Sequence, residues 1–290
     1  MSNMECGNRS NASNGRRNTK VQHSCSDREV DEASIPIRRT NILGIGISLT
    51  NMRQAVKVSE EHIRSNSKGY ICATDVHTII EAQSDSALRS TLNRSVLTTP
   101  DGMPLVWIAR LRGWKQVGRV YGPDFMLEVC RHSVQFGYKH FLYGGCEGVA
   151  ERLRDTLITR FPGLQIVGTY SPPFRALNEG EEASLSKIVE ELKPDIFWVG
   201  LGSPKQERFM AKYHKIFDAK LMVGVGAAFD FHSGRVKEAP EWLKESGFQW
   251  LYRVIQEPRR LLRRYISCIP QFLVGIILQT TKARRYKEIS

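Results

Sequence analysis

The sequence predicts an α/β fold, with a largely parallel sheet covered by helices on both faces and a helical appendage at the carboxyl end. Three observations predict it. Between residues 41 and 224, short apolar runs alternate with amphipathic stretches, the order of a parallel sheet wrapped by its crossover helices. Two apolar runs break into glycine and then into polar residues, VGLGSPKQE at 199–207 and GVGAAFDFHSG at 224–234. Buried strands behave this way where they deliver binding loops at their carboxyl ends. Beyond residue 241 the pattern turns to aromatic helix, then to a basic helix with an apolar sequel.

The elements follow in order. Residues 1–39 are rich in Asn, Ser, Arg and Gly with few large apolar side chains; they cannot bury enough surface to offset ordering and read as a disordered tail. The body, 40–240, opens with an apolar strand at 42–47 and a helix at 51–64. A strand at 70–73 leads into a helical stretch from 77 into the nineties, and a brief strand at 96–98 ends in TPDGMPLVW. Helices near 104–111 and 125–136, a strand at 140–143 and a helix at 149–160 come next. Strand 165–169, helix 179–192, strand 195–200, helix 204–213 and strand 220–224 complete a Rossmann-like arrangement without internal repeats. Ser203-Pro204 reads as a cap with proline at the helix's first position, aiming free N–H groups at an anion. In the appendage, 241–290, an aromatic helix at 241–255 is followed by a second helix opened by Pro258.

A chain of 290 residues with 41% hydrophobic and 25% charged residues can bury a substantial core. Its net charge of +12 is uneven: residues 251–290 hold nine Lys/Arg against two Asp/Glu. Such an end implies anionic partners: nucleic acid, acidic headgroups or phosphorylated substrates. The six cysteines are scattered, without CxxC or zinc-like spacing, which argues for a reducing compartment and against a structural metal. The amino terminus lacks a secretory pattern, and no segment reaches the ~18–20 uninterrupted apolar residues needed to span a bilayer. A cytoplasmic, non-spanning chain is expected. The second appendage helix, with arginines first and roughly a dozen apolar residues after, resembles an interfacial helix on anionic lipid; a terminal helix docked on the body is the alternative.

Each motif has a plain reading beside a functional one. Gly44-Ile-Gly46 hints at a dinucleotide fingerprint, but the third glycine and a ribose-binding acid are missing, so no nicotinamide or flavin cofactor is implied. Asp101, on a tight turn where a strand ends, either stabilises that turn through its own backbone or projects into the crevice as a general base. Lys205, Gln206 and Glu207 form either a solvated first turn or a cluster for phosphate and sugar. Asp230, between Phe229 and Phe231, must be held by specific hydrogen bonds, to protein or to ligand. Gly144 and Gly145 close an apolar strand as a simple turn or as backbone N–H donors near a phosphate. Arg253, Arg260 and Arg263, beside Arg259 and Arg264, form as a set a fair anion site. His77 and His232 are lone histidines, no cluster has metal-ligand spacing, and no Asp-x-Asp appears that would bridge a metal to a diphosphate.

Taken together these islands resemble the WecG/TagA/CpsF family of bacterial glycosyltransferases, glycosyltransferase family 26. The resemblance runs from residue 42 to 272 and is carried by PDGMPLVW, YGPDFM, YGG, FPGLQIVG, VGLGSPKQE, GVGAAFDFHSG and a carboxyl end with APEWL, GFQWLYR and EPRRLLRRY, seven motifs in the family's order. It implies an inverting, metal-independent transfer of a sugar from a UDP-sugar to a polyprenyl-diphosphate-linked acceptor at the inner face of the cytoplasmic membrane, with no cofactor. Asp101 falls on the family's proposed catalytic base. Arg119 and Gln206 match residues that hold the sugar and diphosphate, Asp230 a nucleotide-binding acid, and Arg253, Arg260 and Arg263 basic residues of an appendage that closes over the site.

One departure stands out. The family commonly has Thr-x-Asn at the end of the second strand, where this chain reads Ala73-Thr74-Asp75. Thr74 and Asp75 are thereby placed beside the substrate. An acid so near a diphosphate is costly unless it binds a sugar hydroxyl or an ammonium-like group, and N-acetylmannosamine, its uronic acid and glucose all stay open as the donor sugar. The expected partners are a UDP-sugar, a polyprenyl-diphosphate-linked sugar and the membrane surface, with a homo-oligomer left open. A nucleic-acid-binding protein would account for the charge, but the basic residues lie beside an apolar helix and no reading helix or RNA-stacking motif is present. A non-catalytic scaffold of polysaccharide assembly is the second rival.

Overall fold

The computed structural model describes residues 37–240, 242–243, 249–256 and 258–286, the side chain of Arg260 excepted. The amino-terminal tail expected at 1–39 lies, up to residue 36, outside the described residues; Arg39 already belongs to a strand. Six strands form one parallel sheet: β3 (Gly69–Thr74), β4 (Leu97–Pro100), β5 (Lys139–Gly144), β6 (Gln165–Tyr170), β7 (Ile196–Gly200) and β8 (Leu221–Gly224). Their order across the sheet is β4-β3-β8-β7-β5-β6, every pairing parallel. This is the α/β, Rossmann-like architecture expected from the alternation of apolar runs.

Side-chain alternation assigns the two faces. Tyr70, Cys72, Phe141, Tyr143, Phe197, Val199 and Met222 pack on one side, under α2 (Val76–Ser84), α3 (Ser86–Arg94), α7 (Glu179–Leu192) and α8 (Lys205–Tyr213), with Leu105 of α4 (Met103–Leu111) joining the same cluster. Ile71, Leu142, Ile196, Trp198, Leu221 and Val223 pack on the other, under α1 (Met52–Arg64), α5 (Gly122–Ser133), α6 (Val149–Arg160) and the short α9 (Ala228–His232). The central strands β7 and β8 are nearly continuous Ile, Val, Leu, Met and aromatic, as a sheet covered on both sides requires; the edge strand β4 buries Thr98 and Thr99 instead.

Two local expectations are corrected. The single strand read at 42–47 is a hairpin of β1 (Arg39–Ile42) and β2 (Ile45–Ser48). Leu43 (φ 50°) and Gly44 (φ 84°) form its two-residue turn, the geometry of a primed turn between twisted strands. Gly44 is thus a hairpin glycine, and the partial dinucleotide pattern has no phosphate-binding role. The helical stretch from 77 into the nineties is broken at Asp85, which ends α2 and caps α3 by accepting from Leu88 N (2.9 Å). A Ser-Asp-Ser run favours caps over helix interior.

The appendage comprises α10 (Gln249–Gln256) and α11 (Pro258–Thr280), with residues 242–243 also helical. Trp250 and Tyr265 meet edge to face at 5.5 Å between the two helices. One stripe of α11, Cys268, Phe272 and Gly275, packs on the body, Gly275 lying against the Leu43 side chain. Near its end Gln279 donates to Asn41 O (3.0 Å) and accepts from Leu43 N (3.2 Å). The opposite stripe is apolar and open, with Ile266 66% and Ile277 61% exposed. The expectation that this tail is too short to span a bilayer needs correcting: Leu261–Thr280 is by length and composition long and apolar enough to cross a membrane. Counting only uninterrupted apolar residues missed it, because Arg263, Arg264, Ser267 and Gln271 interrupt the run.

Candidate active site

The carboxyl ends of β3, β4, β5, β7 and β8 open into one cavity of about 950 Å3, within the size of small-ligand sites in open α/β sheets. Strand β4 runs out at Pro100 and hands over Asp101, whose N–H donates to Thr74 O at the end of β3 (3.0 Å). Its carboxylate does not stabilise its own turn. Oδ1 instead accepts from Gly122 N (2.7 Å), the first residue of α5, whose positive dipole end therefore faces it. Burial pushes the Asp101 carboxyl up to about 6, against the opposing pull of Arg119, the Gly122 N–H and Arg253. A carboxylate with a pKa in that range, in a cavity, is suited to general base work near neutral pH.

Arg119 stands behind Asp101. Its Nε donates to Asp101 O (2.7 Å), its Nη2 to Gln249 Oε1 (2.6 Å), and its guanidinium lies 4.2 Å above the centre of the Tyr121 ring. Buried Gln249, on α10, also donates to the Tyr121 hydroxyl (2.6 Å). The first helix of the appendage is thus anchored directly behind the candidate base.

The two glycine loops are stapled together. Buried Gln206 accepts from Gly226 N through Oε1 (2.9 Å) and donates through Nε2 to Glu207 Oε1 (3.1 Å). Burial pushes the Glu207 carboxyl up to about 7, against the opposing pull of its hydrogen-bond donors, Gln206 first. Pro204 occupies the cap position itself, and α8 begins at Lys205. Close backbone approach explains the glycines: a Cβ on Gly144 (φ 145°) would stand 2.7 Å from the Gly200 backbone, and one on Gly200 would strike the Phe229 ring.

Arginines also line the wall. Arg253 lines the cavity with its guanidinium 5.5 Å from the centre of the Phe231 ring, and Arg235 donates to Asp230 Oδ1 (3.1 Å) and to Cys146 Sγ (2.9 Å). Asp75 caps α2 and accepts from Arg264 Nη2 (2.7 Å). Burial pushes the Asp75 carboxyl up, but the Arg264 charge and two hydrogen bonds from Thr78 outweigh it and hold the group below its usual range.

The structure brings together Asp75, Asp101, Gly145, Gln206, Asp230 and Arg253 around the cavity. Of the other expected site residues, Thr74, Arg119, Gly144 and Arg263 do not reach the cavity wall. Thr74 is fully buried with its hydroxyl on Cys72 O (3.3 Å); in a strand only alternate residues face one way, so Ala73 and Asp75 line the cavity. Gly144 serves the close approach to Gly200, and Arg119 acts from behind Asp101. Arg263 points to solvent, its neighbour Arg264 lines the cavity instead, and the side chain of Arg260 lies outside the described residues. The signal for Arg264 was present in the sequence: Cys268 and Phe272, four and eight residues on, mark its face as the docked one. Arg235 and Gln249 carried no such mark.

Comparison with known proteins decides the family. A family model described as the glycosyl transferase WecG/TagA/CpsF family matches residues 40–286, the whole of the sheet and most of the appendage. The chain belongs to the WecG/TagA/CpsF family. It is 26% identical over 238 residues to an N-acetylglucosaminyldiphosphoundecaprenol N-acetyl-beta-D-mannosaminyltransferase of Bacillus subtilis (strain 168), covering 82% of this chain and 90% of that protein. It is 25% identical over 251 residues to a protein of the same name from Staphylococcus aureus (strain MRSA252), covering 86% of this chain and 96% of that one. This WecG/TagA/CpsF chain is therefore a glycosyltransferase, and the cavity at the strand ends is its candidate active site.

Proposed function

We propose that the protein transfers a sugar of the N-acetylmannosamine type from a UDP-sugar to a polyprenyl-diphosphate-linked N-acetylglucosamine, with inversion and without a metal ion, in the assembly of a cell-surface polymer. The acceptor is the one named in the relatives. The observation that carries the reading is Asp101, a carboxyl raised to about 6 at the cavity edge and oriented by Gly122 N.

The geometry supports a single displacement. The Asp101 carboxylate takes the proton of the acceptor hydroxyl as that oxygen attacks the anomeric carbon. The bond from that carbon to the diphosphate breaks on the opposite side, and the electron pair leaves with UDP. Arg253 and Arg235, both on the cavity wall, stabilise the departing negative charge as fixed cations. Among the described residues no group of three or more His, Cys, Asp or Glu side chains converges to hold a metal, so metal independence rests on these arginines doing that work.

The appendage supplies the membrane contact in this reading. Helix α11 is fixed to the body by one stripe and presents Ile266, Leu273 and Ile277 on the other, with arginines at its start. A helix held along one side lies in the interface rather than crossing it, and the acceptor's lipid diphosphate is found there. Calorimetric titration of the full-length protein with UDP in EDTA tests the donor site. Saturable binding supports the reading; a folded protein that does not bind UDP contradicts it.

A further inference from the structure

Asp75 is an acid on the wall of a cavity assigned to a diphosphate, and the cation it needs is built into the chain. Arg264 Nη2 donates to its Oδ2 at 2.7 Å, while Oδ1 accepts from Thr78 N (2.8 Å) and from Thr78 Oγ1 (2.7 Å). Thr78 Oγ1 also lies 2.8 Å from Ser203 Oγ. A carboxylate only accepts, so the Thr78 proton points to Asp75 and Ser203 must donate to Thr78. The result is a directional chain, Ser203 to Thr78 to Asp75, closed from the other side by Arg264. It begins in the loop after β7, which lines the cavity, and ends on the appendage helix.

Arg264 is one end of the docked stripe of α11. Cys268, Phe272, Gly275 and Gln279 follow at helical spacing and hold the rest of the helix against α2 and the hairpin turn. Only Arg264 in that stripe reaches the cavity. A short, half-buried, charge-assisted pair of this kind carries geometric information that an exposed pair does not.

We propose that Asp75 is a positioning residue: with Arg264, Thr78 and Ser203 it joins the docking of α11 to the placement of the loop at 200–206 on the donor side of the cavity. The inference rests on the reading of that cavity as a UDP-sugar site. It gives Asp75 a role toward the protein's own arginine in place of a sugar hydroxyl, and it makes closure of the appendage and preparation of the donor loop one event.

Five full-length variants test it: Asp75→Asn, Arg264→Gln, the double variant, Arg264→Lys and Thr78→Val. Asn keeps the helix cap and Val keeps the shape of Thr. Two quantities are read, backbone hydrogen exchange across α11 and UDP affinity by calorimetry. Asp75→Asn and Arg264→Gln should each speed exchange at 261–268 by about tenfold and weaken UDP by about fivefold. The double variant should be no worse than the worse single one, because the two act as a unit, and Arg264→Lys should recover part of both effects. Thr78→Val should weaken UDP similarly while exchange in α11 stays as in the wild type. Multiplying effects in the double variant would mean that Arg264 meets the ligand directly, and wild-type UDP affinity in Thr78→Val would break the chain to Ser203; either overturns the proposal. A wild-type protein that fails to bind UDP sinks the donor-site reading and the relay with it, while exchange still reports whether Asp75 holds α11.

Discussion

The N–H of Gly122 and Oδ1 of Asp101 are 2.7 Å apart, although 21 positions separate them in the chain. This bond aims the carboxylate of β4's end at the cavity from the N-terminus of α5, the end of the helix that favours negative charge. It works against burial, which raises the Asp101 carboxyl to about 6. The side chain is therefore ionised at neutral pH and basic enough to accept a proton.

The pH dependence follows with its sign. Transfer should fall as pH drops through about 6, where Asp101 takes a proton, and should be level above it until another group titrates. A profile of kcat/KM between pH 5 and 8 checks this, and a flat acid side would remove Asp101 from the chemistry.

Stability runs the other way. A carboxyl whose folded pKa is raised from 3.8 to about 6 binds its proton more tightly in the folded state, so its contribution declines as pH rises from about 4 to 6. Asp101→Asn should be more stable than the wild type at pH 7.5 by about 1–3 kcal/mol, the difference vanishing near pH 4. Asn still accepts from Gly122 N, so UDP binding should persist while transfer is lost. Denaturant melts at the two pH values decide it; a destabilised variant at pH 7.5 would contradict the burial argument.

Gln206→Ala should separate the two glycine loops. It leaves Gly226 N without its acceptor and Glu207 without its donor, at a cost of about 1–3 kcal/mol, and UDP affinity should fall at least about tenfold if the loops form the donor site. Wild-type affinity in a folded variant would show that the staple has no bearing on binding.

Much of this was legible in the sequence. The parallel sheet follows from apolar runs that end in glycine, and α7 lies where its periodicity put it, at Glu179–Leu192. Asp101, Gln206 and Asp230 stand just past strand ends, Asp101 in a turn and the other two in the first turns of α8 and α9, where ligands gather. What was not legible depends on contacts between distant segments. The turn at Leu43-Gly44 looks like continuous strand because Leu43 is apolar and adopts positive φ. Thr74 and Asp75 are adjacent, and only strand geometry decides which faces the cavity. Gln249 reaches Arg119 and Tyr121 across some 130 positions, a distance no local pattern reports.

Ile266, Leu273 and Ile277 carry the expected membrane contact. Replacing all three by Ser should reduce binding to vesicles containing anionic lipid by at least about tenfold, since each apolar side chain contributes roughly 1.5–3 kcal/mol when buried. The fold should be unchanged, because these side chains face away from the body. Co-sedimentation with vesicles measures it, and undiminished binding would move the contact elsewhere.

A chain ended after Gln256 removes α11 and with it Arg264 and Phe272. The sheet and its two cores should remain folded while transfer and vesicle binding are lost, which circular dichroism and assay can show together. Full activity without α11 would refute the shared role of that helix in site and membrane contact.

The most direct test of the central claim is a transfer assay in EDTA with UDP-N-acetylmannosamine and polyprenyl-diphosphate-linked N-acetylglucosamine, run with the wild type and with Asp101→Asn. The wild type should give a disaccharide-lipid, inverted at the new anomeric centre, and the variant none. Equal product from both proteins, or retention of configuration, would contradict it.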